Sequence, residues 1–132
     1  MPYARISLQR GFTPDYLGAL STSVYQAMHE TFEVPAGDCF QVIHQHDPGE
    51  LVFDRHYLGG PRSDAFVLIA ITAGRPRSEA CKRAFYRRLV ELLAIAPGIA
   101  PEDVMVNIVT TAAQDWSFGG GRAGIVAAQA DA

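Results

Sequence analysis

The sequence predicts an α/β fold of the α+β type: duplicated β-α-β units forming a four-stranded sheet, with two helices on one face. Three observations lead there. The chain matches itself in pattern at a constant offset of 65 residues. Each half holds two short apolar stretches around one stretch of helical period. Both helical stretches open on a hydroxyl residue with an acid soon after it.

The repeat is low in identity but runs without a gap. Ile6 falls on Ile71, Leu8 on Ala73 and Thr13 on Ser78. Leu20, Val24 and Met28 fall on Phe85, Leu89 and Leu93. Val34 falls on Ile99, Asp38 on Asp103 and Ile43 on Ile108. Residues 1–132 are therefore read as one domain, with halves at about 2–64 and 65–132.

The elements follow in order. Residues 3–9 alternate apolar and polar, as a strand does. Thr13-Pro14-Asp15 starts a helix, whose apolar stripe is Leu17, Leu20, Val24, Met28 and Phe32. Residues 39–45, Cys39 to Gln45, form a second strand. Pro48-Gly49 and Gly59-Gly60-Pro61 mark 47–64 as a connecting loop. Ala65 to Thr72 is a nearly continuous apolar run, which predicts a central strand buried on both faces. Ser78-Glu79 opens the second helix, with Phe85, Leu89, Leu92 and Leu93 inward. Asp103 to Thr110 is the fourth strand, 111–121 a glycine-rich loop around Trp116 and Phe118, and 122–132 a short terminal helix. Each β-α-β unit implies parallel pairing with a right-handed crossover. The sheet face away from the helices then needs a cover, which an oligomer supplies.

Composition narrows the function. A net charge of −3 argues against a nucleic-acid partner. No apolar run reaches the roughly 18 residues of a membrane span. The start, Met1-Pro2-Tyr3-Ala4-Arg5, lacks the apolar stretch of a signal peptide. Cys39 and Cys81 fall in predicted core segments and read as buried free thiols. A cytoplasmic setting is expected.

A few residues can carry chemistry. Pro2 becomes a free secondary amine once Met1 is trimmed. Such an amine titrates near neutral pH and can exchange a proton or form an iminium with a carbonyl. Arg75-Pro76-Arg77 lies between the third strand and the second helix, where two guanidinium groups about a rigid proline can grip a carboxylate. By the repeat, Pro2 corresponds to Val67, and strand pairing decides whether that turn meets Pro2. Asp38 ends a Pro35-Ala36-Gly37 turn and reads either as a turn cap or as a carboxylate that orients the amine or a water. Trp116 and Phe118 read either as an apolar pocket wall or as a subunit contact. His44 and His46 share a strand face, and His56 lies in the loop, without an accompanying ligand set, so no metal is expected.

Taken together, Pro2, the duplication, Asp38 and the Arg75-Pro76-Arg77 turn resemble malonate semialdehyde decarboxylase and its homologues in the tautomerase superfamily. The likeness spans nearly the whole chain. It is densest in Val34 to Asp38, Gln45 to Glu50, Arg75 to Glu79, Pro101 to Val104 and Asp115 to Gly119. The resemblance implies a tautomerase/MIF-like fold, a homotrimer, and cofactor-free decarboxylation of a small 3-oxo acid. It assigns Pro2 as the catalytic amine, Asp38 as the acid working with it, and Arg75 and Arg77 as the carboxylate-binding pair. Trp116 and Phe118 match part of the apolar wall. His29 resembles the helix histidine with which cis-3-chloroacrylic acid dehalogenases bind a substrate carboxylate; it reads either as the sign of a changed substrate or a mixed decarboxylase and hydratase, or as a surface histidine of no consequence. The alternative enzymatic reading is a keto–enol tautomerase, or a hydratase or dehalogenase of acrylic-acid-type substrates. A non-catalytic interaction protein is the remaining reading.

Overall fold

A computed structural model of the protein describes residues 2–124. Strand β1 (Pro2–Gln9) leads into helix α1 (Pro14–Thr31) and strand β2 (Gln41–His46). Strand β3 (Val67–Ala73), helix α2 (Glu79–Ile95) and strand β4 (Val104–Thr110) repeat the sequence of elements. The sheet order is β2-β1-β3-β4. Pairing is parallel within each half, β1 with β2 and β3 with β4, and antiparallel where β1 meets β3. The terminal helix expected from Arg122 is not formed at 122–124, and 125–132 lie outside the described residues.

Local chemistry explains where the helices begin. The Thr13 hydroxyl accepts from the Tyr16 amide at 3.1 Å, and the Ser78 hydroxyl accepts from the Cys81 amide at 3.1 Å. Each cap satisfies one amide that the first helical turn leaves without a partner. Inward residues Leu20, Val24, Ala27 and Met28 of α1 and Phe85, Leu89 and Leu93 of α2 pack on Ala4, Ile6, Leu8, Val67, Ile69 and Ile71. Truncating one of these large side chains to alanine typically costs about 2–5 kcal/mol.

Strand β3 is not buried on both sides in the single chain. Its burial alternates, and Leu68, Ala70 and Thr72 are half-exposed on the face away from the helices. Val42, Met105 and Val109 share that face at 41, 48 and 53% exposure. The apolar run is thus consistent with a face that something else covers. The second strand begins two residues later than expected. Cys39 donates to Gly37 and so belongs to the turn, which leaves Cys39 exposed rather than in the core. Cys81 is half-buried, and both thiols are free.

The loop between β2 and β3 is ordered by its own polar groups. Asp54 accepts from the His56 and Tyr57 amides, each at 2.7 Å, and Phe53 stacks on Phe66. Gly60 has a φ of 95°, and a Cβ there would stand 2.2 Å from the Arg55 carbonyl oxygen. Asp103, the repeat partner of Asp38, anchors the loop's end. It is 3% exposed, and its two oxygens accept from the Ser63 amide and hydroxyl, both at 2.6 Å. Asp103→Ala is expected to destabilise the fold by about 2–3 kcal/mol, the scale of buried bonds to a charged group. Urea unfolding measures it.

Candidate active site

Strand register brings the predicted residues to one end of the sheet. Pro2 is buried at the first position of β1, where its missing N–H removes nothing from the ladder. It pairs with Ala73, the last residue of β3. Its repeat counterpart Val67 lies at the far end, opposite Leu8. Antiparallel pairing therefore sets Pro2 beside the segment that runs from Ala73 through Gly74 into Arg75. Parallel pairing on the other side sets Ala4 against Gln41. The Ala4 amide also donates to the Phe40 carbonyl, and the turn that carries Asp38 lies just before that residue.

Asp38 is placed by a tight turn. Its amide donates to the Pro35 carbonyl at 3.1 Å, and Gly37 takes the corner at a φ of 85°. Both carboxylate oxygens of Asp38 are shielded from solvent. His29 and Tyr25 hold this turn from α1. The His29 Nδ1 lies 2.6 Å from the Val34 carbonyl oxygen, and the Tyr25 hydroxyl accepts from the Gly37 amide at 3.2 Å. The two rings stack at 5.9 Å. His29 is thus tied to the turn that carries Asp38, and it does not line the cavity beside the arginines.

That cavity measures about 420 Å³, and Thr31, Phe32, Glu33, Arg75, Arg77 and Cys81 line it. Arg75 and Arg77 both donate to the Phe32 carbonyl, at 3.2 and 3.4 Å. Burial pulls the Arg77 guanidinium below its ordinary pKa, and the neighbouring Arg75 charge adds to the effect. The nearby Cys81 sulfur and the Asp38 carboxylate act the other way. The site is therefore an electropositive recess, suited to an anion.

An aromatic wall stands at the same sheet end. Trp116 donates through Nε1 to the Thr111 hydroxyl at 2.7 Å, and that hydroxyl donates to the Ala73 carbonyl at 3.1 Å. The wall is thereby coupled to the residue opposite Pro2. Phe118 stacks on Trp116 with centroids 5.4 Å apart and planes at 4°. Phe40 leans on Phe118 at 6.1 Å, and its carbonyl accepts from the Ala4 amide. Phe40 and Thr111 join the candidate site here. Phe40 read as a strand residue, and nothing in its surroundings marked it as a wall.

A second groove, of about 390 Å³, lies elsewhere. Leu51, Phe53, Tyr57, Leu58, Leu68 and Met105 line it on the uncovered sheet face. It is apolar and holds none of the predicted catalytic residues. Among the described residues no helix is long and apolar enough to cross a membrane.

Comparison with known proteins agrees with this geometry. Family models described as "Tautomerase enzyme" match residues 38–119 and 2–60. The chain is 35% identical over 126 residues to a probable tautomerase, YusQ, of Bacillus subtilis (strain 168), covering 96% of this chain and 99% of that one. It is 39% identical to a solved malonate semialdehyde decarboxylase, a structure described with decarboxylase and hydratase activities, with a TM-score of 0.89 and 98% of each chain covered. The FG41 malonate semialdehyde decarboxylase inhibited by 3-bromopropiolate is 31% identical, with a TM-score of 0.88 and 96% of each chain covered. A proline at the head of a duplicated β-α-β sheet, an arginine pair at the end of the strand beside it, and these full-length likenesses agree: the chain belongs to the tautomerase superfamily.

Proposed function

We propose that the protein decarboxylates a small 3-oxo acid of the malonate semialdehyde class, using the nitrogen of Pro2 and no metal or organic cofactor. One observation carries the reading. Pro2 pairs with Ala73, two residues before Arg75, so the amine end of the chain and the guanidinium pair share one end of the sheet.

The chemistry follows from where charge develops. Breaking the bond between C1 and C2 of a 3-oxo acid releases carbon dioxide and leaves the electron pair on C2, delocalised to the carbonyl oxygen as an enolate. Protonation at C2 then gives the aldehyde. A protonated Pro2 stabilises that oxygen by hydrogen bonding. Alternatively Pro2 condenses with the carbonyl with loss of water, the iminium takes up the electron pair as an enamine, and after protonation at C2 water adds back to release the aldehyde and free Pro2. Either is stabilisation by a preorganised charge. Arg75 and Arg77 bind the carboxylate and turn the breaking bond out of the carbonyl plane. Too tight a grip on the ground-state carboxylate would hinder loss of carbon dioxide. The wall of Trp116, Phe118 and Phe40 offsets this by favouring the less charged transition state. Asp38 orients Pro2 or activates a water.

The test is direct. Incubation with 3-oxopropanoate should yield acetaldehyde by proton NMR. Borohydride reduction during turnover should fix the substrate's carbon skeleton on Pro2 if an iminium forms, and peptide mapping locates it. Ketonised phenylenolpyruvate with no acetaldehyde would instead establish a tautomerase, the reading favoured by the name of the Bacillus relative. Hydration of an acetylenic acid alone would establish a hydratase.

We also propose a homotrimer built on the uncovered sheet face. The half-exposed Leu68 and Ala70, with Val42, Met105 and Val109, support it, and the apolar groove by Tyr57 extends that surface. Two free thiols are in keeping with a reducing cytoplasm.

A further inference from the structure

Two guanidinium groups side by side repel each other, and burial strengthens the repulsion. Arg75 and Arg77 stand together nonetheless, and the cause lies on another element. Phe32 caps the C-terminus of α1, and its amide donates to the Met28 carbonyl at 2.8 Å. Its carbonyl sits at the negative end of the helix dipole. It accepts from Nη2 of Arg75 at 3.2 Å and from Nη2 of Arg77 at 3.4 Å. The Phe32 ring adds a second hold, with the Arg77 Cζ 4.6 Å from its centroid over the electron-rich face. The ring itself is fixed, being 1% exposed and stacked on Phe85 at 4.6 Å. Nη1 of Arg77 donates to the Arg75 carbonyl at 3.0 Å, which ties the two arginines to each other. Each of these Nη groups keeps a second N–H for an incoming carboxylate.

We infer that Phe32 is a positioning residue, which holds Arg75 and Arg77 as one preformed cationic pair through its carbonyl and fixes the plane of Arg77 through its ring. The inference rests on the reading of the two arginines as a carboxylate clamp. A preformed pair spares the ligand the entropy of ordering two long side chains. The consequence falls on binding of the carboxylate more than on the bond-breaking step, so KM rises while kcat holds.

Phe32→Leu keeps the burial and the backbone carbonyl but removes the aromatic face. Phe32→Met repeats the test if the leucine variant fails to fold. Malonate, a stable carboxylate probe, is titrated calorimetrically into the full chain. Its affinity is expected to fall roughly 3- to 30-fold in Phe32→Leu. No further loss is expected when the change is added to Arg77→Ala, because the two residues act through one contact. Nitrogen-15 NMR gives a readout independent of ligand. The Arg77 Nε–H is shielded from solvent and should appear as a slowly exchanging, ring-shifted signal, assigned by its loss in Arg77→Lys. That signal should move and exchange faster in Phe32→Leu. An unchanged signal overturns the inference, as does an equal loss of affinity with and without Arg77. If Arg77→Ala binds malonate like the wild type, the clamp reading fails, and the NMR signal alone decides whether Phe32 holds the pair.

Discussion

Arg75→Ala and Arg77→Ala are each expected to lower turnover of 3-oxopropanoate at least about a hundredfold, the scale of losing one positioned charged contact. Each arginine lines the cavity beside Phe32 and gives it positive charge. Removing either leaves the carboxylate half-held and free to rotate its breaking bond back into the carbonyl plane. Lysine should restore little at either position, because a point charge cannot reproduce the planar fork. Arg75 lies in an exposed turn, so the loss at that position should come without a matching loss of thermal stability. Steady-state kinetics beside thermal melts separate the two effects. Kinetics like the wild type in both alanine variants would remove the clamp from the mechanism.

The second large effect concerns the chain's first amine. Inserting an alanine between Met1 and Pro2 leaves the Pro2 nitrogen as an amide after trimming. An amide is neither basic nor able to form an iminium. Turnover should fall by about a hundredfold to ten-thousandfold, the range for losing a general acid or base. Borohydride labelling should vanish with it. Pro2→Ala keeps a terminal amine at the same place and should fall between the insertion and the wild type. Intact mass spectrometry must confirm the terminus of each variant. Full activity in the insertion would show that Pro2 acts through its backbone position alone.

Much of the fold was legible because the duplication repeats every signal twice. Thr13 and Ser78 fall at matching places, and both prove to be helix caps. Leu20 and Phe85 likewise both enter the core. The strand ends were less legible. A turn competes with a strand through hydrogen bonds that residue type hardly encodes, and the Cys39 amide goes to Gly37. The reach of Pro2 toward Arg75 was open until the β1–β3 pairing was known, since either direction satisfies the same apolar pattern. Phe32 illustrates the deepest limit. Its spacing marks a core side chain, and it is one, but what it offers the arginines is also a backbone carbonyl, which every residue possesses. His29 carried a site-like signal from its likeness to the dehalogenase histidine, and the structure adds that its Nδ1 lies beside the Val34 carbonyl.

The antiparallel seam between β1 and β3 has a last consequence. It relates the two halves by an approximate half-turn, so the molecule has two equivalent ends. Arg10 occupies at one end the place that Arg75 takes at the other. Only one of those ends can hold a chain start. Val67, where Pro2 would stand, is joined to Phe66 by an ordinary amide and has no nitrogen lone pair to offer. Arg10 accordingly spends its charge on Asp47, at 3.0 Å near the surface. Joining two like halves in one polypeptide therefore gives equivalent places unlike surroundings, an amide nitrogen at Val67 and an ion-paired guanidinium at Arg10.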